Sequence, residues 1–190
     1  MKIIAKLLPY LITAISVSSC VTSKPVLPPD NSIQKLKIPM SIKSIQIVDS
    51  RDSVSMGDDI QLPFILKPNQ HIEFYPNLSE VHKSLLSTLI DDNMVQEPGE
   101  GFEIQVELLE AIKIFSSTWT SEKEQVKAKV RVTASNGTGR IWSEAQGESF
   151  VTSIDAQNAK FEELYKLNLK NVTYKALELL KTYKAPVTDS

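Results

Sequence analysis

The nine residues from Val126 to Ala134 read "VKAKVRVTA", with Val126, Ala128, Val130, Val132 and Ala134 alternating with Lys127, Lys129, Arg131 and Thr133. Successive side chains leave a strand on opposite faces, so strict alternation of this kind predicts a strand with one dry face and one wet face. Immediately after it, "SNGTG" at 135–139 has the composition of a hairpin turn, Asn136-Gly137 being suited to positive φ. The segment "RIWSEAQGESFVTS" at 140–153 is then the returning strand. On the other side, Phe102, Ile104, Val106 and Leu108 alternate with Glu103, Gln105 and Glu107. Long strands joined by hairpins imply an antiparallel meander, not the parallel sheet of a nucleotide-binding fold.

Helical periodicity flanks the meander. In "PNLSEVHKSLLSTLIDDN" (76–93), Leu78, Val81, Leu85 and Leu89 recur at helical spacing beside His82 and Leu86. Asn77 as N-cap with Glu80 three residues on forms a capping-box pattern, and "PGEG" at 98–101 reads as a turn. A second helix is expected over 156–183, capped by Asp155, with Phe161, Tyr165, Leu169, Val172, Ala176, Leu179 and Tyr183 as its apolar stripe. "IKSIQIVD" (42–49) alternates weakly and reads as a first strand. The stretch from 50 to 75 is long for a connection and contains two short extended candidates, 60–66 and 71–75. The expected fold is α+β: an antiparallel four-stranded sheet with two helices packed on one face.

The first twenty residues have a different character. "MKIIAKLLPYLITAISVSSC" places Lys2 and Lys6 before an apolar run over 7–17, and Ser18 and Ser19 before Cys20, the one cysteine of the chain. That is the layout of a secretory signal, and the run is too short for a spanning helix of ~20 apolar residues. Val17-Ser18-Ser19-Cys20 resembles the bacterial lipobox. The resemblance implies a diacylglyceryl group on the Cys20 sulfur, cleavage before Cys20 and acylation of the new amino group. One acyl chain holds a protein to a membrane only marginally, so two or three make an anchor. Pro25, Pro28, Pro29 and Pro39 then favour an extended tether. The reading divides the chain into a signal peptide at 1–19, lipidated cysteine and tether at 20–40, and one domain at 41–185 of periplasmic type. Val21, rather than aspartate, after the cysteine resembles the proteobacterial pattern for transfer to the outer membrane.

The order strand, loop, helix, three strands, helix behind a lipobox resembles the YajG-like family of small bacterial lipoproteins. "IQIVDSRDSVSMG" carries the likeness, its aliphatics running into Asp49 and Arg51, with Gly57 following. Membership implies location and fold more than activity. The architecture also resembles LptE-type assembly lipoproteins and the auxiliary lipoproteins of lipid-transport ABC systems.

The chemistry is sparse. The chain carries 21 basic and 23 acidic residues, and losing Lys2 and Lys6 with the signal takes its net charge from −2 to −4. A mildly acidic domain is a poor nucleic-acid binder. Asp49, Arg51, Asp52, Asp58 and Asp59 could form a cation or partner site, or an ion pair at a strand end beside a solvated loop. His71, His82 and Glu73 fall short of the tight spacing of a zinc site. No Gly-x-Ser-x-Gly elbow or phosphate-binding glycine loop occurs. We therefore expect no metal, no cofactor and no enzymatic activity. The expected function is a membrane-anchored binding or scaffolding module of the cell envelope, acting on an envelope protein partner; the alternative is a helper in lipid or lipopolysaccharide transport. In the returning strand, Ile141, Ser143, Ala145, Gly147, Ser149 and Val151 share a face suited to a packed helix. Trp142 and Phe150 would then be displayed as partner-binding residues, unless a bulge turns Trp142 into the core.

Overall fold

The alternation at 126–134 lies within a strand, β6 (Glu122–Asn136), at the centre of the sheet. In the computed structural model, which describes residues 34–51, 68–95, 98, 101–153 and 158–182, its Val126, Val130 and Val132 are wholly buried. On either side lie β5 (Phe102–Ser117) and β7 (Gly139–Ser153), both antiparallel to it. The pair Asn136↔Gly139 closes a two-residue turn. Asn136 keeps a negative φ, contrary to the expectation from Asn-Gly; its Oδ1 instead accepts from the N–H groups of Thr138 at 3.1 Å and Gly139 at 3.0 Å.

β5 runs nine residues past Leu108, where its period-two pattern breaks. A bulge between Leu108 and Glu110 inserts Leu109 and changes the parity, so that Ala111, Lys113 and Phe115 take over the buried face. This long strand serves two neighbours along one edge. β2 (Ile42–Asp49) pairs with Phe102–Leu108 in parallel, and β3 (His71–Phe74) pairs antiparallel with Lys113–Ser116. The sheet thus has five strands and is mostly, not wholly, antiparallel. The expected four-stranded antiparallel sheet fails here for a topological reason: β2 reaches β5 through a connection containing a helix, which permits parallel pairing, rather than through a hairpin. The 60–66 candidate lies outside the described residues.

The helices are α1 (Glu80–Asn93) and α2 (Asn158–Thr182). Both are on one face of the sheet: α2 lies across β6 and β7, and α1 packs against α2 and β2. The N-cap of α1 is Ser79, not Asn77, and His82 replaces the expected glutamate at the third helical position, its Nδ1 accepting from the Ser79 N–H at 3.1 Å. This turns the buried stripe to His82, Leu86, Leu89 and Ile90 and leaves Val81 61% exposed. On α2, Phe161, Tyr165, Leu169, Val172 and Ala176 are buried as expected, but Leu177 and Leu180 replace Leu179 at the C-terminal end. Asp155 and Tyr183 lie outside the described residues. Small residues on β7 let α2 approach closely. A Cβ at Gly147 would stand 2.9 Å from Val172 Cγ2, Ser143 Oγ donates to the Ala176 carbonyl at 2.7 Å, and Asn168 Nδ2 donates to Ser149 Oγ at 3.0 Å.

The fold begins before residue 41. β1 (Ile38–Pro39) pairs in parallel with β4 (Met94–Val95), and Leu36 and Ile38 are buried. Leu36 N–H donates to Asn93 Oδ1 at 2.8 Å, Lys181 Nζ donates to the Leu36 carbonyl, and Tyr174 Oη donates to the Gln34 carbonyl at 2.7 Å. Residues 34–40 therefore pack with the domain, although Pro39 reads with the earlier prolines as tether.

Candidate functional site: the open face of the sheet

Because both helices occupy one face, the other face of β6 and β7 is open among the described residues. The lysines and arginine of the opening stretch project there, and β7 supplies the partners. Glu144 accepts from Lys129 Nζ at 2.8 Å and from Arg131 Nε at 2.8 Å. Arg131 also lies 3.8 Å from Glu107 on β5, and Lys127 lies 3.9 Å from Glu148. Hydrogen bonds from Lys129 and then Arg131 hold the Glu144 carboxyl below the usual glutamate range. The result is a ladder of paired opposite charges across three strands.

Two aromatic rings interrupt the ladder. Trp142 is 54% exposed, and the Arg131 guanidinium lies 5.5 Å from its ring centre. Phe150 is half-buried, with Lys123 Nζ 4.7 Å from its ring centre. Pairing of β6 with β7 is unbroken from Glu122↔Ser153 to Asn136↔Gly139, so no bulge turns Trp142 inward. Arg131, Arg140 and Trp142 line a shallow open depression. Such a surface offers a flat aromatic, two guanidinium groups and carboxylates, which is the chemistry of protein recognition.

The other candidates separate into two structural clusters. Asp49 and Arg51 do pair, with Arg51 Nε donating to Asp49 Oδ1 at 2.7 Å, but the pair is not the exposed strand-end contact weighed from the sequence. The Arg51 side chain is 6% exposed. It fills the gap between β2 and β3, donating to the carbonyls of Pro76 at 2.9 Å and Ala111 at 3.4 Å. Burial raises the Asp49 pKa, and the hydrogen bond and charge of Arg51 outweigh it, leaving the carboxyl below its ordinary value. Gly57, Asp52, Asp58 and Asp59 lie outside the described residues, as does Cys20.

His71 and His82 do not meet. His71 pairs with Glu73 on exposed β3, 3.0 Å apart, whereas His82 is buried and its Nε2 lies 2.6 Å from Glu162 Oε1. Glu162 also accepts from Lys113 Nζ at 2.9 Å, and the hydrogen bond from His82, opposed by burial and helped by Lys113, holds its pKa at about 2. Phe74, Phe161 and Tyr165 surround the Lys113 ammonium at 5.2–5.9 Å from their ring centres. Both His82 nitrogens are thus engaged inside the fold, one closing the capping box on Ser79 and the other bridging α1 to Glu162 of α2. Among the described residues no three His, Cys, Asp or Glu side chains come together as a metal site.

Sequence reasoning missed three residues of note. Lys113 falls on the buried face only because of the Leu109 bulge, which no alternation announces. Glu162 reads as an ordinary solvent-facing helix position. Trp119, 82% exposed at the β5–β6 turn, was legible as a lone tryptophan in "SSTWTS".

No family model and no curated protein matches this chain. Two solved structures are similar over three-quarters of it. One is a minor lipoprotein from Acinetobacter baumannii, at 7% identity, TM-score 0.38, covering 75% of this chain and 93% of that one. The other is an uncharacterized protein at 10% identity and TM-score 0.38, covering 75% and 95%. At that level of similarity the function rests on the chain's own residues. Among the described residues no helix is long and apolar enough to cross a membrane.

Proposed function

We propose that this chain is a membrane-anchored bacterial lipoprotein serving as a non-enzymatic binding or scaffolding module of the cell envelope. The anchor is the acylated Cys20, read from the signal-like run and the lipobox resemblance of residues 17–20. The YajG-like motif around Asp49 and Arg51 and the valine at position 21 favour an outer-membrane lipoprotein facing the periplasm. Trp142, standing out of an open, ion-laced sheet face on the side away from the helices, is the observation that carries the binding role. The alternative, lipid carriage, would be favoured by an apolar cleft between helices and sheet. At Gly147 and Val172 α2 instead lies directly on β7, with too little room there even for a Cβ, which favours a protein partner.

The experiment is affinity capture of the mature protein from envelope membranes, comparing the natural chain with Trp142→Ala and Phe150→Ala and identifying both proteins and lipids. The proposal expects a specific envelope protein whose recovery falls in Trp142→Ala while thermal melting changes little. Recovery of stoichiometric lipid, unaffected by either substitution, would overturn it in favour of lipid carriage.

A further inference from the structure

We propose that β7 is a self-pairing edge: two copies of the chain join β7 to β7, antiparallel, about a two-fold axis at Gln146. The starting observation is the edge itself. Among the described residues β7 is a terminal strand of the sheet, fifteen residues long and paired without a register shift to β6 alone. Soluble proteins blunt such edges with proline, lysine, bulges or short strands. Residues 139–153 contain neither proline nor lysine, and the strand is neither short nor bulged.

The register follows from the hairpin. The pair that closes a two-residue turn is of the hydrogen-bonded kind, its backbone groups turned toward each other, and here that pair is Asn136↔Gly139, whose Gly139 N–H also reaches Asn136 Oδ1 at 3.0 Å. Odd-numbered residues of β7 therefore turn their N–H and C=O groups toward β6, and even-numbered residues turn theirs toward the open edge. Gln146 is the midpoint of Gly139–Ser153, and it is even. An axis there brings all fifteen residues into register, with outward-facing backbone groups meeting outward-facing backbone groups.

The side chains agree with that axis. It sets Trp142 of one copy directly opposite Phe150 of the other, twice. Each ring already carries a cation on its inner flank, Arg131 at 5.5 Å and Lys123 at 4.7 Å. In register the row across the joint sheet is Thr133, Trp142, Phe150, Gln125, and the two cations reach their rings diagonally from two residues along β6. The axis also faces Glu144 with Glu148, but each has a lysine or arginine of β6 beside it. That row reads cation, anion, anion, cation, and is neutral. At the centre Gln146 meets its own copy, two amides able to hydrogen-bond to each other. A second copy fits the edge because the strand is its own complement. This inference goes beyond the envelope-partner reading and does not depend on the anchor.

Single-cysteine substitutions in the intact mature protein test it, since Cys20 is the one native cysteine and serves as the control. Directly opposed residues in such a pair lie ~5.5 Å apart, within disulfide range. Gln146→Cys should form a disulfide dimer under mild oxidation. Glu144→Cys and Glu148→Cys alone should not, because each is displaced from its own copy by four residues, roughly 13 Å along the strand. A mixture of the Glu144→Cys and Glu148→Cys chains should cross-link to each other. Sedimentation of the natural chain should give a dimer. A monomer with Gln146→Cys unlinked, cross-linking of Gln146→Cys to a different envelope protein, or equal linking at all three positions would overturn the proposal. Envelope capture left unchanged by Trp142→Ala, with the cross-links intact, would instead count against the envelope-partner reading alone.

Discussion

Replacing Arg51 with alanine should cost far more than removal of a surface ion pair. The Arg51 guanidinium satisfies both Asp49 oxygens and the carbonyls of Pro76 and Ala111, at the place where β2 ends and β3 has not yet begun along β5. Alanine would leave a buried cavity, two carbonyls short of a donor and a carboxylate without its counter-ion. Breaking a buried pair by deleting one partner costs ~3–5 kcal/mol. The Asp49 side chain is 25% exposed and can be partly rehydrated, so the low end of that range applies, about 3 kcal/mol. For a domain of this size that lowers Tm by roughly 6–12 °C. Arg51→Lys should recover less than half of the loss, because one ammonium cannot span two carboxylate oxygens and two carbonyls. Urea unfolding at pH 7 gives the free energies directly. The pH dependence supplies a second reading. Asp49 has a folded-state pKa below its unfolded value, so its contribution is present above the unfolded value and is lost as pH falls through the folded one. Arg51→Ala should therefore flatten the acid limb of the stability curve. A cost below about 0.5 kcal/mol, the range of an exposed pair, would refute the reasoning.

Glu162 gives a related but separate acid effect. Its folded pKa of about 2 lies below the ordinary glutamate value, so its bridge to His82 and Lys113 should weaken as pH falls from about 4.5 toward 2, and Glu162→Gln should remove that dependence. Because the Glu162 side chain is 37% exposed, solvent screening reduces the expected contribution to about 1 kcal/mol; an unchanged acid transition in the variant would contradict it. Removing residues 34–40 deletes β1 and the buried Leu36 and Ile38, and should destabilise the domain by at least ~3 kcal/mol in urea. If a chain beginning at residue 41 unfolds at the same urea concentration as one beginning at 34, those residues are tether after all. Trp142→Ala should cost less than about 1 kcal/mol, against ~3–5 kcal/mol for a core tryptophan, and calorimetry separates the two.

Much of the sheet was legible because alternation in β6 and β7 is strict and each strand keeps one parity throughout. The outward position of Trp142 follows from that parity and from the small residues opposite it. The limits are equally physical. β5 seemed to stop at Leu108 because a single inserted residue, Leu109, reverses the faces and sets a lysine, Lys113, where an aliphatic is expected. The β2–β5 pairing is parallel, and strand direction is set by what connects two strands rather than by their own residues. The cap of α1 was misplaced because a histidine performs the task usually given to glutamate, and the shift from Asn77 to Ser79 rotated the inferred stripe. The ion-pair environments of Arg51 and Glu162 depend on contacts between distant segments, which residue spacing does not encode.

The central claim is that Cys20 is the acylated first residue of a membrane-held protein, and the mass of the mature N-terminal peptide tests it most directly. The account predicts a chain beginning at Cys20 and carrying diacylglyceryl with or without a further N-acyl chain, and a Cys20→Ser variant that keeps its signal residues and takes up no labelled palmitate. An N-terminal peptide with a free Cys20 thiol, or one cleaved at another residue and released from the membrane fraction, would contradict it.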